Sequence, residues 1–513
     1  MVKNRLTMLA AAAAFALGTH GAMAQPAQDK LRMAFEFPIS TVDWYQDSKP
    51  EIEMISEAVF DGLIAYNEAT QQYEPLLAAS WERVDPVTLR FKLREDVKWH
   101  DGEPFDAGDV VYTIGWLTDP DTKIRFKANW KWIKEARKID DHTVEIVAAQ
   151  PTPHDMMRLA YGTQILPEHV HGKLADKMAF RDNVVGTGMY KVVGIDTNAG
   201  IELAKNPDYR HGGTSKPASN IGAVRIVSIP DAGARTAALL ADDVDLLRNT
   251  SFEEAVALSA DPRFDMTVLQ SVSFMYLALD ALGKSGNEAL KDERLRRAIM
   301  EAVDRQALRG ARTGGEPEKR SPEALCWDFQ AGCAYSEPLP PFDPEHAKQL
   351  LAEAGYADGF DITVHTFGST RDYGEIVAGF LNQVGIRASV QPMTFATFRK
   401  LQADGQLGVF VGAWNAGVGP DVGPSMGLFF SGDTRDYYHD PRLIELAAQA
   451  QTETDPKARE AIVRELLDTA VRKSYVIPLA GIPIPVAHKA EIAITDGRNT
   501  PYAFHLGDLN WKK

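Results

Sequence analysis

A few residues in this chain have the types and spacing to do chemistry. Cys326 and Cys333, its only cysteines, lie seven apart in ALCWDFQAGCAYSE. In an oxidising compartment such a pair reads as a disulfide closing a short loop; the alternative is two ordinary thiols. His169 and His171 in PEHVHGK invite a metal, but two histidines at i, i+2 without cysteine or a carboxylate at a set spacing make a poor ligand set. Val185-Gly186-Thr187-Gly188-Met189-Tyr190 has glycines of a phosphate loop, yet it lacks the third glycine and runs into the strand-like Lys191-Val192-Val193 rather than a helix. Arg371 in FGSTRDYGE follows a strand pattern. Its planar fork suits a carboxylate, and the alternative is a solvated loop arginine paired with Asp372.

No GxSxG, HExxH, Walker loop or catalytic cysteine signature is present, so the reading is a protein that is not an enzyme and carries no cofactor or metal. Trp414, Trp44 and Tyr45 could stack on a sugar or an apolar group, or simply be core. The formal charge of −16, without basic clusters, argues against nucleic acid or an anionic membrane as partner. Residues 1–24 read as a secretory signal, with Lys3 and Arg5 before an apolar run and Ala22-Met23-Ala24 as the cleavage site. No later stretch reaches the ~18 apolar residues of a bilayer span, and no cysteine follows the cleavage site, so the expectation is a soluble exported protein. The remaining length needs at least two cores.

The elements that must position these residues are clearest at 76–111, LLAASWERVDPVTLRFKLREDVKWHDGEPFDAGDVV. Leu89, Phe91 and Leu93 alternate with charged residues as in a half-buried strand, and Val97 and Trp99 suggest a second short one. His100-Asp101-Gly102 reads as turn chemistry, and Asp106 as the N-cap of a helix with Val110, Ile114 and Leu117 on one face. Further helices are expected over 55–63, 292–308, 373–384 and 456–473, and one capped by Asp343 with Pro344 at its first position; strands are expected over 31–35, 142–149, 386–390 and along GVFVGAW.

The wording SWE, FKLREDVKWHDGEPF and AGDVVYT resembles the signature of the family 5 extracellular solute-binding proteins, the dipeptide, oligopeptide and nickel-complex receptors of ABC importers. GTGMY with Met189 in place of the usual proline, NPDY, the helix ending in Asp304-Arg305, FDPEHAKQLLAEAGY and the strand ending at Trp414 resemble further family motifs in the family's order. The resemblance implies a two-lobed α/β periplasmic-binding-protein fold of class II, the large peptide-binding type, with an extra subdomain in the first lobe. It divides the chain into a signal peptide 1–24, lobe I at 25–72, 185–272 and 485–513, an inserted subdomain 73–184, and a closing lobe II at 273–484.

It further implies a periplasmic monomer that captures a peptide-like small molecule and delivers it to ABC transporter permease subunits. Opine, sugar-conjugate or chelated-nickel ligands are the alternative, and a secreted hydrolase a more distant one. By resemblance, the loop with Tyr45 forms one wall of the cleft and Ser48, Lys49 and Pro50 run alongside the ligand backbone. Trp414, Asn415, Ala416 and Gly417 form the other wall, and Arg371 sits where dipeptide-binding relatives place an arginine for the ligand carboxylate. Gly417 stands at the position of the aspartate that clamps a peptide ammonium, a group that needs a paired carboxylate when desolvated. Asp421 replaces it only if the glycine-rich loop folds back.

Overall fold

The computed structural model describes residues 29–47, 49–67, 70–125, 127–210, 212–213, 215–248, 250–269, 271–312, 321–414, 420–495 and 505–512. The predicted signal segment therefore lies outside the described residues, as do Ser48, Asn415, Ala416 and Gly417. Among the described residues, no helix is long and apolar enough to cross a membrane.

Two sheets organise the chain. In the first, of seven strands, Lys30–Phe35 is central, with Leu31, Met33, Ala34 and Phe35 fully buried. It pairs in parallel with Ala223–Ser228 on one side and Leu246–Leu247 on the other. Lys30 and Arg32 alternate with Leu31 and Met33 at its start, and Met33-Ala34-Phe35 is buried on both faces at its end. A four-stranded antiparallel sheet, built from Ala78–Asp85, Thr88–Leu93, Thr143–Ala148 and Ile133–Asp140, packs beside it in the same apolar core. The second main sheet has five strands. Asp361–Phe367 runs parallel to Arg387–Met393 and to Val409–Trp414, and Phe274–Leu279 lies antiparallel between Val409–Trp414 and Val476–Gly481. It has its own cores, one on each face.

The chain crosses between the two sheets twice. It leaves the seven-stranded sheet after Phe264–Leu269 and returns through Ile484–Lys489. The crossings are tied to each other: Ser271 Oγ donates to the Ile482 carbonyl at 2.9 Å and Ile482 N to the Ser273 carbonyl at 3.0 Å.

Capping set several boundaries. Asp106 caps the helix Ala107–Thr118 in a reciprocal box with Asp109, and Asp343 caps Pro344–Glu353. Elsewhere the ends differ from the sequence expectation. The first helix runs from Pro50 to Val59, starting five residues before Ile55, because a proline suits its first position and the apolar period marks only its inner face. The stretch 292–308 is two helices, Glu293–Ala302 and Arg305–Arg312: Val303 is extended, and Asp304 Oδ1 accepts from Ala307 N at 2.8 Å to start the second. Val97 and Trp99 make no strand, only a bridge between Lys98 and Pro104.

Candidate functional site

The motifs that look most chemical are spent on packing. His100 and the glycines of GTGM interlock: His100 N donates to the Gly186 carbonyl at 2.8 Å, Gly186 N to His100 Nδ1 at 3.2 Å, and His100 Nε2 lies 3.0 Å from the Gly188 carbonyl. Burial holds this imidazole neutral, lowering its pKa to about 4. Gly186 and Gly188 are glycines because the end of the first helix lies against them; a Cβ on Gly186 would sit 1.9 Å from the Val59 carbonyl. The GTGM turn is thus a helix-packing device. The two histidines of PEHVHGK diverge: His169 Nε2 meets Asp101 at 2.8 Å, whereas His171 is buried with Nδ1 2.5 Å from the Tyr112 hydroxyl. Among the described residues, no cluster of three or more His, Cys, Asp or Glu could hold a metal.

Of the expected ligand contacts, Tyr45 is corrected. It is 1% exposed, its hydroxyl donates to the Gln164 carbonyl at 2.7 Å, and its ring packs among Trp44, Trp116 and Trp130. It is a core residue. Lys49 precedes the first helix with its ammonium on Asp47, and Pro50 is that helix's first residue. Arg371 is not in a loop but opens the helix Arg371–Gln383, where it is 59% exposed and paired with Glu375 at 2.8 Å. It nonetheless sits just past the carboxyl end of Asp361–Phe367, a strand parallel to the one ending at Trp414. Trp414 is half-buried against Phe429, and its indole N–H is enclosed with no hydrogen-bond partner among the described residues.

Asp421 is the second correction. It accepts two hydrogen bonds from Arg459, at 2.7 and 2.8 Å, and one from Gly423 N at 2.7 Å; the two side chains are 4% and 6% exposed. Burial pushes the Asp421 carboxyl up, but the Arg459 charge and these hydrogen bonds hold it below its ordinary value. A carboxylate so engaged is no free clamp for an ammonium. Its surroundings include the cysteine loop. Cys326 and Cys333 are bonded with Cα atoms 5.9 Å apart, and inside their loop Ala331 pairs with Asp421 through Ala331 N to Pro420 O at 2.7 Å and Val422 N to Ala331 O at 3.1 Å. Trp327, in the same loop, donates to the Val272 carbonyl in the first crossing at 2.9 Å.

The unit built on the seven-stranded sheet reaches this spot. Gln71 Nε2 donates to the Phe329 carbonyl at 3.3 Å. Tyr73, His154 and Arg158 all interact electrostatically with Asp421. His154 and Arg158 belong to the helix Asp155–Gly162 and its cap, and sequence reasoning missed both. The available signal was a histidine and an arginine one turn apart in HDMMRLAYG, set among Met156, Met157 and Leu159. The arrangement is therefore a polar contact between two lobes, with charged groups that are desolvated where the lobes meet.

Comparison with known proteins agrees with that geometry. The profile of the bacterial extracellular solute-binding proteins, family 5 Middle, matches residues 72–436. The chain is 25% identical over 480 residues to heme-binding protein A of Haemophilus influenzae, covering 85% of this chain and 83% of the relative. It is 23% identical over 472 residues to the glutathione-binding protein GsiB of Shigella dysenteriae, covering 88% and 89%. The ABC transporter-associated periplasmic binding protein DppA of Helicobacter pylori, solved with the peptide STSA, superposes with a TM-score of 0.72 at 21% identity, over 94% of this chain and 98% of that one. Two sheets joined by two tied crossings, desolvated charges where the lobes meet, and a profile match over most of the chain lead to one assignment: the protein belongs to the bacterial extracellular solute-binding proteins of family 5.

Proposed function

We propose that this chain is the periplasmic receptor of an ABC importer, closing two lobes around a peptide-like ligand and presenting it to a membrane permease. The observation that carries the reading is the pair of crossings at Ser271–Ser273 and Ile482, which join two separately packed units and make the natural hinge. Relatives named for peptide and glutathione binding support a peptide-like class. In this reading Trp414 packs on the ligand and Arg371 guards the mouth of the cleft. The reading includes export across the inner membrane, supported by the sequence pattern of a secretory signal at 1–24.

A second reading, a ligand without a free α-ammonium, is favoured by one specific observation: Asp421, the residue that could stand in for the clamp that the family resemblance puts at Gly417, is committed to Arg459. Native mass spectrometry of protein purified from its own periplasm without refolding, followed by denaturing release, separates the two. A ladder of short peptides supports the first reading, a single non-peptide mass the second, and absence of any discrete small ligand across growth conditions refutes both.

A further inference from the structure

Charge at the contact between the lobes does not balance. Asp421 and Arg459 cancel each other, and Asp155 is held by Arg83 through two bonds of 2.9 Å. His154 is 6% exposed and neutral, its pKa lowered to about 4 first by burial and then by the Arg158 charge. Arg158 remains. Its Nη1 donates to the Asn129 carbonyl at 2.7 Å, Nε is enclosed without a hydrogen-bond partner, and Nη2 makes no hydrogen bond to any described residue. No carboxylate lies within ion-pair distance among the described residues; Asp421, the one anion that acts on it, belongs to the other lobe and is already bonded twice. Arg158 is half-buried, and only Nε of its guanidinium is enclosed without a partner; a charge that is partly desolvated with one edge of its fork unmet is completed most favourably by an anion.

Resting on the receptor reading above, we propose that the free Nε/Nη2 edge of Arg158, on the helix Asp155–Gly162, receives a carboxylate of the bound ligand. The edge has the spacing for two parallel N–H···O bonds. His154, whose carbonyl accepts from Arg158 N at 3.0 Å one turn earlier, sits on the same helix face with Nδ1 enclosed and unpartnered, and adds a neutral polar wall. Arg371, exposed and paired with Glu375, is then not the group that reads the ligand's charge.

The test uses the mature protein and two random tripeptide pools, one with free C-terminal carboxylates and one amidated, at equal concentration. Captured species are separated by gel filtration and identified by mass spectrometry. A charge-assisted fork predicts that the wild type favours carboxylate-bearing peptides about ten- to a hundredfold. Arg158→Gln should capture acids and amides alike, and Arg158→Lys should recover part of the preference; circular dichroism shows that both are folded. Amidated peptides enriched in Asp or Glu by the wild type, and no longer by Arg158→Gln, identify a side chain as the carboxylate source and also support the proposal. Equal capture of acids and amides by the wild type, with no enrichment of Asp or Glu among the captured peptides, overturns it, as does an acid preference that survives Arg158→Gln. Capture of nothing from either pool by folded wild type refutes the peptide-like reading itself, and the peptide carboxylate falls with it.

Discussion

Replacing Asp421 by asparagine separates a structural carboxylate from a ligand clamp. Asparagine keeps the shape and the oxygen that accepts from Gly423 N, so the turn into the helix Gly423–Phe429 survives. What it removes is the charge opposite Arg459, whose Nη1 and Nη2 both donate to Asp421 and whose one other hydrogen bond among the described residues is Nε to the Ala450 carbonyl at 3.0 Å. Both side chains are more than nine-tenths buried, so little water can substitute. Stranding one partner of such a pair costs about 3–5 kcal/mol. For a lobe of roughly 200 residues each kcal/mol moves the midpoint by about 2–4 °C, so thermal unfolding followed by far-ultraviolet circular dichroism should show a drop of roughly 10 °C. The double replacement Asp421→Leu with Arg459→Met should recover most of that loss, because apolar side chains of similar volume often replace a buried pair without penalty. A variant that melts within about 1 °C of the wild type while losing its ligand would refute the reasoning and return Asp421 to the role of clamp.

Stability should fall on acidification from neutral pH. His100 and His154 titrate at about 4 in the fold and His171 at about 3, all lowered mainly by burial from an ordinary 6.5. Their contribution is complete above pH 6.5 and lost as pH falls through about 4, several kcal/mol together; urea unfolding at pH 7 and pH 4.5 measures it, and equal midpoints would contradict it. Asp43 has the opposite sign. Fully buried, with one carboxylate oxygen unpartnered among the described residues, it is raised from 3.8 to about 7, so its contribution is complete below pH 4 and gone above 7. Asp43→Asn should therefore gain on the wild type as pH rises from 5 to 8, by about 1–3 kcal/mol, and a pH-independent difference would contradict it. Gly186→Ala forces a methyl into the Val59 carbonyl and should cost about 3 kcal/mol or more, read as a lowered melting temperature or insoluble expression. Cys326→Ser with Cys333→Ser opens a loop with a sequence separation of 7 and should cost about 2–3 kcal/mol by chain entropy, with the unfolding transition of the five-stranded unit moving first.

Local periods and caps made most of the fold legible. Leu89, Phe91 and Leu93 are all buried in their strand, and Asp106 and Asp343 both cap their helices, because these features are decided within a turn or two of the residue concerned. Helix ends were less legible. Arg371 falls inside a helix whose apolar face starts only at Tyr373, and Val303 breaks a stretch whose period alone shows no break.

The site was hardest to read, for a physical reason. Its side chains are defined by contacts between residues far apart in the chain, mostly within one lobe. Asp421 as a ligand clamp and Asp421 as the partner of Arg459 have the same local sequence, and only the packing of the helix Pro456–Arg472 against the cysteine loop decides between them. Tyr45 shows the same limit: an aromatic in a polar loop reads as a cleft wall until Trp116 and Trp130, far along the chain, enclose it. Arg158 is the converse. It stands in a short helix beside Met156, Met157 and Leu159, and a charge there can persist where something outside the helix meets it. The motifs that mark the family, WHDG and GTGM, hold the first lobe together through His100 and Gly186. Residues that set what is bound should therefore be sought among those that break the local pattern rather than those that spell the signature.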